Sequence, residues 1–301
     1  MQKIVPHLWF DKEAKEAADF YVSVFPRSSL TATATLKDTP GGDSDVVSFN
    51  LHGHDFIAIS AGPIFTINSS ISFMVNFDPS TDGHARQHLD ELWEELAGGG
   101  ETLMPLGEYP FSERYGWVQD RFGVSWQLIL TDPAGEPRPF ILPSLMFGGE
   151  HTNQAEAAIH FYTEVFADSK RGTVARYTEQ TGPANEGSLM FADFMLANQW
   201  FAAMDSAAEQ DFTFNEAVSL LVNCDDQDEV DYYWERLTAV PESEQCGWLK
   251  DRFGVSWQIS PTVMNDMLAN GTREQIDRIT RTFMPMKKLD IAELEAAYRE
   301  G

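Results

Sequence analysis

Apolar residues recur along the chain with two periods, and the switches between them mark its elements. In Ile71–Phe77 the apolar Ile71, Phe73, Val75 and Phe77 alternate with Ser72, Met74 and Asn76, as a half-covered strand requires. Ile4–Phe10 reads the same way, with Ile4, Leu8 and Phe10 on the covered face and Val5, His7 and Trp9 on the open one. The period then lengthens. Ala14, Ala17, Ala18, Tyr21, Val22 and Phe25 form a helical stripe that follows Asp11 and stops at Pro26. Strands follow at 30–36, 46–51 and 56–60, the last two joined by a turn at 52–55. In the last of these, Ile57 and Ile59 are expected under the helix, with Phe56, Ala58 and Ser60 on the open face. After 71–77 the order restarts: a helix at 83–97 ended by Gly98-Gly99-Gly100, then strands at 103–106, 115–120 and 125–130. There Trp126, Leu128 and Leu130 are covered, and Ser125, Gln127 and Ile129 are open. Each stretch is βαβββ.

The chain then repeats itself. GWVQDRFGVSWQL at 116–128 returns as GWLKDRFGVSWQI at 247–259, differing at three positions. ISFMVNFD at 71–78 pairs with VSLLVNCD at 218–225, VPHLWF at 5–10 with LPSLMF at 142–147, and Phe20-Tyr21 with Phe161-Tyr162. The sequence thus divides into a first domain at 1–135, a second at 136–261 and a tail at 262–301, with the Pro-rich joint TDPAGEPRP at 131–139. The βαβββ order is expected four times. Thr272/Gln275 and Asp290/Glu293 read as capping boxes, and the tail as helices at 262–269, 273–283 and 291–299.

Paired βαβββ units are the plan of the vicinal-oxygen-chelate, or glyoxalase/dioxygenase-like, superfamily. Within it, CGWLKDRFGVSWQISP at 246–261, IVPHLWFDKEAKEAADFYVSVFP at 4–26 and MPMKKLDIAELEAAY at 284–298 resemble PhnB-like, demethylubiquinone methyltransferase-like proteins. The resemblance implies an α+β fold of tandem glyoxalase domains with a helical extension. It also implies that duplication supplies inside one chain a contact that single-repeat relatives make as homodimers; a homodimer of the whole chain stays open.

Metal-dependent members of the superfamily hold a divalent ion with His or Gln on the first strand of each unit and Glu on a late strand. The corresponding positions here are Val5 or His7, Ala58, Ser72 and Gln127 in the first repeat, and Ser144, Ala202, Ser219 and Gln258 in the second. Alanine offers no ligand, and neutral serine and amide are poor ones. No metal and no cofactor are therefore expected. Methyl transfer, which the family label suggests, needs a Gly-rich turn opening a helix after a parallel strand. Gly98-Gly99-Gly100 instead follows a helix, and Gly41-Gly42 lies in a loop after Pro40.

The open faces define the expected site. His7 is the candidate catalytic residue, as general base or hydrogen-bond donor. Trp9, Ala58, Ser72, Met74 and Gln127 are expected beside it as ligand contacts. Ser144, Met146, Ser219 and Gln258 line the second repeat's cleft. Trp117 and Trp248 are core or cleft-wall aromatics. Asp120-Arg121 and Asp251-Arg252 read as turn-stabilising pairs, Cys224 and Cys246 as structural thiols. His52, His54, His84 and His88 read as surface residues, and His151 and His160 as structural or exposed.

Composition narrows the partners. Against 21 Lys and Arg stand 47 Asp and Glu, a net charge of −26, which disfavours nucleic acid. No apolar run is long enough to span a bilayer, and two cysteines make no disulfide framework, so a reducing, cytoplasmic setting is expected. A small-molecule binder is the leading reading. The alternatives are an enzyme acting on a small oxygenated substrate and an interaction protein without chemistry.

Overall fold

A computed structural model describes residues 1–39 and 42–299; Pro40 and Gly41 of the expected loop lie outside the described residues. Four modules follow one another. The first is β1 (Ile4–Phe10), α1 (Ala14–Val24), β2 (Ser29–Thr39), β3 (Gly42–Leu51) and β4 (His54–Ser60). The second is β5 (Ile71–Phe77), α2 (Ala85–Ala97), β6 (Glu101–Tyr109), β7 (Ser112–Gln119) and β8 (Ser125–Leu130). The third is β9 (Ile141–Phe147), α3 (Ala155–Val165), β10 (Lys170–Arg176), β11 (Leu189–Leu196) and β12 (Gln199–Asp205). The fourth is β13 (Val218–Cys224), α4 (Gln227–Leu237), β14 (Trp248–Lys250) and β15 (Ser256–Pro261). Helices α5 (Thr262–Asn270), α6 (Arg273–Phe283) and α7 (Ile291–Arg299) form the tail, close to the bounds the capping signals predict.

The repeats are units of sequence, and the compact units cut across them. Unit 1 is Met1–Val22, Arg27–Thr66 and Asn215–Gly301; unit 2 is Ser23–Pro26 and Ile67–Phe214. Unit 1 holds a seven-stranded sheet in the order β14-β15-β13-β1-β4-β3-β2, so the first module pairs with the fourth. Strands β1 and β13 run antiparallel, His7 opposite Ser219. Unit 2 holds an eight-stranded sheet, β10-β11-β12-β9-β5-β8-β7-β6, joining the second and third modules through antiparallel β5 and β9. The joint at 131–139 connects β8 to β9 inside that sheet; Asn76 Nδ2 donates to Pro139 O at 2.7 Å.

Helices cover one face of each sheet. In unit 1, Tyr21 of α1 stacks on Phe49, and Phe49 on Phe56, with centroids 6.1 and 5.4 Å apart. In unit 2, Trp126 packs between Phe25 and Phe73. The repeated DRFG turn has the same construction twice. Asp120 is buried; its Oδ1 accepts from Phe122 N and Val124 N, and its Oδ2 from Trp126 Nε1 at 2.8 Å. Asp251 accepts from Phe253 N, Val255 N and Trp257 Nε1 in the same way. The aspartate thus steadies the turn through backbone and indole donors, while Arg121 and Arg252 lie over Phe122 and Phe253.

Two expectations are corrected. The fourth module has two strands after its helix, not three, because TAVPESEQ at 238–245 lacks alternation and contains Pro241. The tail serves that edge instead: Cys246 N donates to Met286 O and Gly247 N to Lys287 O, each at 2.7 Å, which shields backbone groups an edge strand would leave open. Second, β4 is phased the other way. Phe56 and Ala58 lie under the helix, where Ser60 Oγ accepts from Ala14 N, and Ile57 and Ile59 take the open face beside His7 and Trp9. Apolar residues occupy both faces of this strand, so alternation alone does not set its phase.

Candidate functional site

The open face of unit 1 encloses a cavity of about 500 Å³. That volume lies within the range of about 300–1,000 Å³ usual for small-molecule sites. Strand β1 contributes His7 and Trp9, β4 Ile57 and Ile59, β13 Leu221, β14 Trp248, and β15 Gln258 and Ser260. Leu36 and Val46 enter from the β2–β3 hairpin, and Met264, Leu268, Phe283 and Leu289 from the tail. The tail residues belong to an apolar cluster of Met267, Ile279, Phe283, Leu289 and Leu294 closed against Leu36. The C-terminal helices are thus part of the cavity wall.

One wall is aromatic, and its rings stand nearly at right angles. Trp9 meets Phe65 at 5.1 Å and 81°, and Trp248 at 6.2 Å and 78°. His7 meets Trp248 at 5.5 Å and 89°. Trp9 is fixed by its indole N–H, which donates to Gly62 O at 2.7 Å.

Polar side chains are the minority of the lining. His7 is 5% exposed, and its Nδ1 has no hydrogen-bond partner among the described residues. Burial lowers its pKa to about 3, because a charged imidazolium here would lose its hydration. His7 is therefore neutral near pH 7, suited to hydrogen bonding and too weakly basic for general-base work at that pH. Gln258 Nε2 donates to Ser219 Oγ at 2.9 Å, and Ser260 Oγ is buried without a partner among the described residues. Glu216, paired with Lys250 at 2.9 Å, and exposed Glu242 also line the cavity.

In unit 2 the equivalent face is filled by its own side chains. Buried Met74, Leu142 and Ala202 pack with Ile129, Phe191 and Trp200, and the Arg138 guanidinium lies 3.8 Å from the Trp200 ring. Gln127 is held at both ends of its amide: its Nε2 donates to Ser72 Oγ at 2.8 Å, and its Oε1 accepts from Tyr115 Oη at 2.7 Å. Ser144, opposite Ser72, and Met146 are buried on the same strand face.

The expected site is therefore regrouped. His7 and Trp9 do not share a cleft with Ser72, Met74 and Gln127, which lie in unit 2; they share one with Leu221 and Gln258, while Ser219, opposite His7 in the sheet, is fully buried behind the Gln258 amide. Ala58 is fully buried on the helix side and lines no cleft. Ile57, Ile59 and the tail residues are cavity wall although no local sequence pattern marks them as such, and the sequence alone is compatible with Trp248 in core or wall. Trp248 is wall; its counterpart Trp117 donates its indole N–H to Ser125 Oγ at 2.7 Å.

The donor set does not fit the superfamily's metal. The registers Trp9↔Ile59 and Leu221↔Gln258 make Ile59 the partner position of Gln258, so unit 1 offers His7, Ile59, Ser219 and Gln258. One imidazole and one amide cannot hold a divalent ion in place of two His and two Glu. Among the described residues no group of three or more His, Cys, Asp and Glu is arranged to hold one.

Other candidates are structural. Cys224 is buried and its thiol is pushed up to about 12; burial raises the Cys246 thiol too, and its Sγ donates to Met284 O at 3.0 Å. His54 is half-buried against Phe56 rather than solvated. Exposed His88 pairs through Nδ1 with Asp82 at 2.6 Å, and His160 with Glu164 at 3.5 Å. Gly98 follows α2 as its C-cap, so the glycine run opens no helix.

Comparison with known proteins agrees with this construction. The sequence profile of the 3-demethylubiquinone-9 3-methyltransferase family matches twice, at residues 2–129 and 139–260. No curated protein matches the chain. A putative 3-demethylubiquinone-9 3-methyltransferase, the PhnB protein of Bacillus cereus, is 35% identical over 43% of this chain and 100% of its own, with a TM-score of 0.39. Glyoxalase I from Zea mays is 12% identical over 89% of this chain and 98% of its own, with a TM-score of 0.54. A putative dioxygenase from Bacillus subtilis is 11% identical over 88% and 89%, with a TM-score of 0.50. The last two share the fold alone. No described helix is long and apolar enough to cross a membrane. With its profile covering both repeats, the chain belongs to the 3-demethylubiquinone-9 3-methyltransferase family, PhnB-like proteins of the vicinal-oxygen-chelate fold, and carries the family domain twice.

Proposed function

We propose that the chain binds one small, mostly apolar organic molecule with a ring system in the unit 1 cavity, without a resident metal ion. The observation behind this reading is the cavity itself: about 500 Å³, mostly apolar in its lining, with Trp9, Trp248 and Phe65 in its wall. The rings supply contact area, while neutral His7 and the amide of Gln258 fix one polar atom of the ligand. Unit 2 fills its equivalent face, so one ligand per chain is expected.

The family name points to methyl transfer and the fold to metal-assisted chemistry on oxygenated substrates. The geometry favours neither. The glycine run ends a helix, and the four strand positions offer only one imidazole and one amide beside an isoleucine and a serine.

The test is a titration with acridine, a neutral three-ring probe, at mildly alkaline pH, followed by tryptophan fluorescence. Saturable quenching with one site per chain is expected, reduced about tenfold or more in Trp248→Leu, whose melting curve serves as the folding control. Binding unaffected by Trp248→Leu, or two equal sites per chain, would overturn the reading. Elemental analysis after dialysis against a chelator tests the metal: retained stoichiometric zinc, nickel, manganese or iron would contradict it.

A further inference from the structure

We propose that this cavity selects a lipophilic organic cation, a ring system carrying a positively charged nitrogen, over neutral or anionic molecules of the same shape. This rests on the cavity being a binding site and adds the charge of its occupant.

Charge is the first observation. The fixed charges on the described lining residues are Glu216 and Glu242, and neither Lys nor Arg is among them. Glu216 is balanced by Lys250, whereas exposed Glu242 makes no ion pair among the described residues. The cavity therefore carries net negative charge, and a carboxylate or phosphate entering it would meet repulsion without a compensating cation.

The aromatic wall is the second. Phe65 and Trp248 each stand at 78–81° to Trp9, so the aromatic lining presents ring faces and ring edges in more than one plane. Aromatic rings around an apolar cation attract it through their quadrupoles. Met264 and Met284 add polarisable thioethers to the same lining.

His7 is the third. Its ring is nine-tenths buried, its Nδ1 is unpartnered among the described residues, and desolvation keeps it uncharged near neutral pH. A protonated imidazole would repel a cation; a neutral one does not, and it offers a ring nitrogen as a hydrogen-bond acceptor. The net charge of −26 acts at longer range by raising the local concentration of cations.

The test compares acridine, N-methylacridinium and acridine-9-carboxylate, which share one ring system and differ in charge, at physiological salt. N-methylacridinium is expected to bind about tenfold tighter than acridine, and the carboxylate at least tenfold weaker. Glu242→Gln is expected to lower the cation-to-neutral ratio about threefold, and Glu242→Lys to lower it further while improving the carboxylate. Glu242 is exposed, so both variants are expected to fold. Trp248-dependent binding of acridine without a cation preference would overturn this inference and leave the cavity reading standing. So would a preference unchanged in Glu242→Lys, which would trace it to the acidic surface at large. If none of the three probes binds in a Trp248-dependent way, both readings fall.

Discussion

His7 and Trp248 meet edge to face, with ring centroids 5.5 Å apart and planes at 89°, although they come from the first and last modules of the duplicated chain. The contact exists because β1 lies against β13, and β14 reaches the same sheet through β15. It places a buried imidazole against an indole, and this burial holds the histidine in its neutral form near pH 7.

That burial makes stability depend on pH. Folded His7 titrates at about 3, whereas an unfolded histidine titrates near 6.5. Between these values the unfolded chain binds the proton and the folded chain does not. Stability from this group is therefore lost as pH falls below 6.5 and levels off below about 3, at up to roughly 1.4 kcal/mol per pH unit. Denaturant unfolding at about pH 7 and pH 4.5 is expected to show wild type losing about 2 kcal/mol more than His7→Gln. Equal losses would mean that the ring takes a proton while folded.

The DRFG turn is expected to tolerate little change. Replacing Asp251 by Ala leaves Trp257 Nε1 and two backbone N–H groups buried without their acceptor. A loss of about 3 kcal/mol or more is expected, with Asp251→Asn milder because its carbonyl oxygen can keep part of the set. Asp120→Ala should behave alike. A change under about 0.5 kcal/mol at either site would show that the arginine, not the acceptor geometry, holds the turn.

The tail couples stability to binding. Phe283 is 6% exposed, lines the cavity and packs in the tail's apolar cluster. Phe283→Ala is expected to destabilise the protein by about 3 kcal/mol and to weaken acridine binding together. A destabilised variant with unchanged affinity would place the ligand away from the helices. Ile279→Ala, fully buried in the same cluster but not a lining residue, is expected to affect stability more than affinity.

The sequence made much of the fold legible. Alternation in Ile4–Phe10 and Ile71–Phe77 phased those strands correctly, and a full capping box at Thr272/Gln275 and an N-cap bond from Glu293 N to Asp290 Oδ1 begin α6 and α7, because both signals are local. Partner choice was not local. Strands β1, β5, β9 and β13 are all buried apolar strands of seven residues, so each is an acceptable neighbour for any other, and nothing in their sequences says that β1 joins β13. Hence His7 and Gln127 were grouped within one repeat although they lie in different compact units. Ala58 failed for another reason: with Phe56, Ile57, Ala58 and Ile59 all apolar, a shift of one residue inverts the face. Nothing local in the sequence separates a core from a wall position for Trp248, and only tertiary packing puts it beside His7 and Trp9.

The most direct measurement of the site's construction is acridine binding by calorimetry to His7→Ala, Gln258→Ala and Gln127→Ala, each checked for a native melting curve. Because β1 and β15 flank one cavity and Gln127 is locked between Ser72 and Tyr115 in unit 2, the first two substitutions are expected to weaken binding about five- to tenfold and the third to leave it unchanged. Affinity lost with Gln127→Ala and kept with Gln258→Ala would contradict a site built from the first and fourth modules.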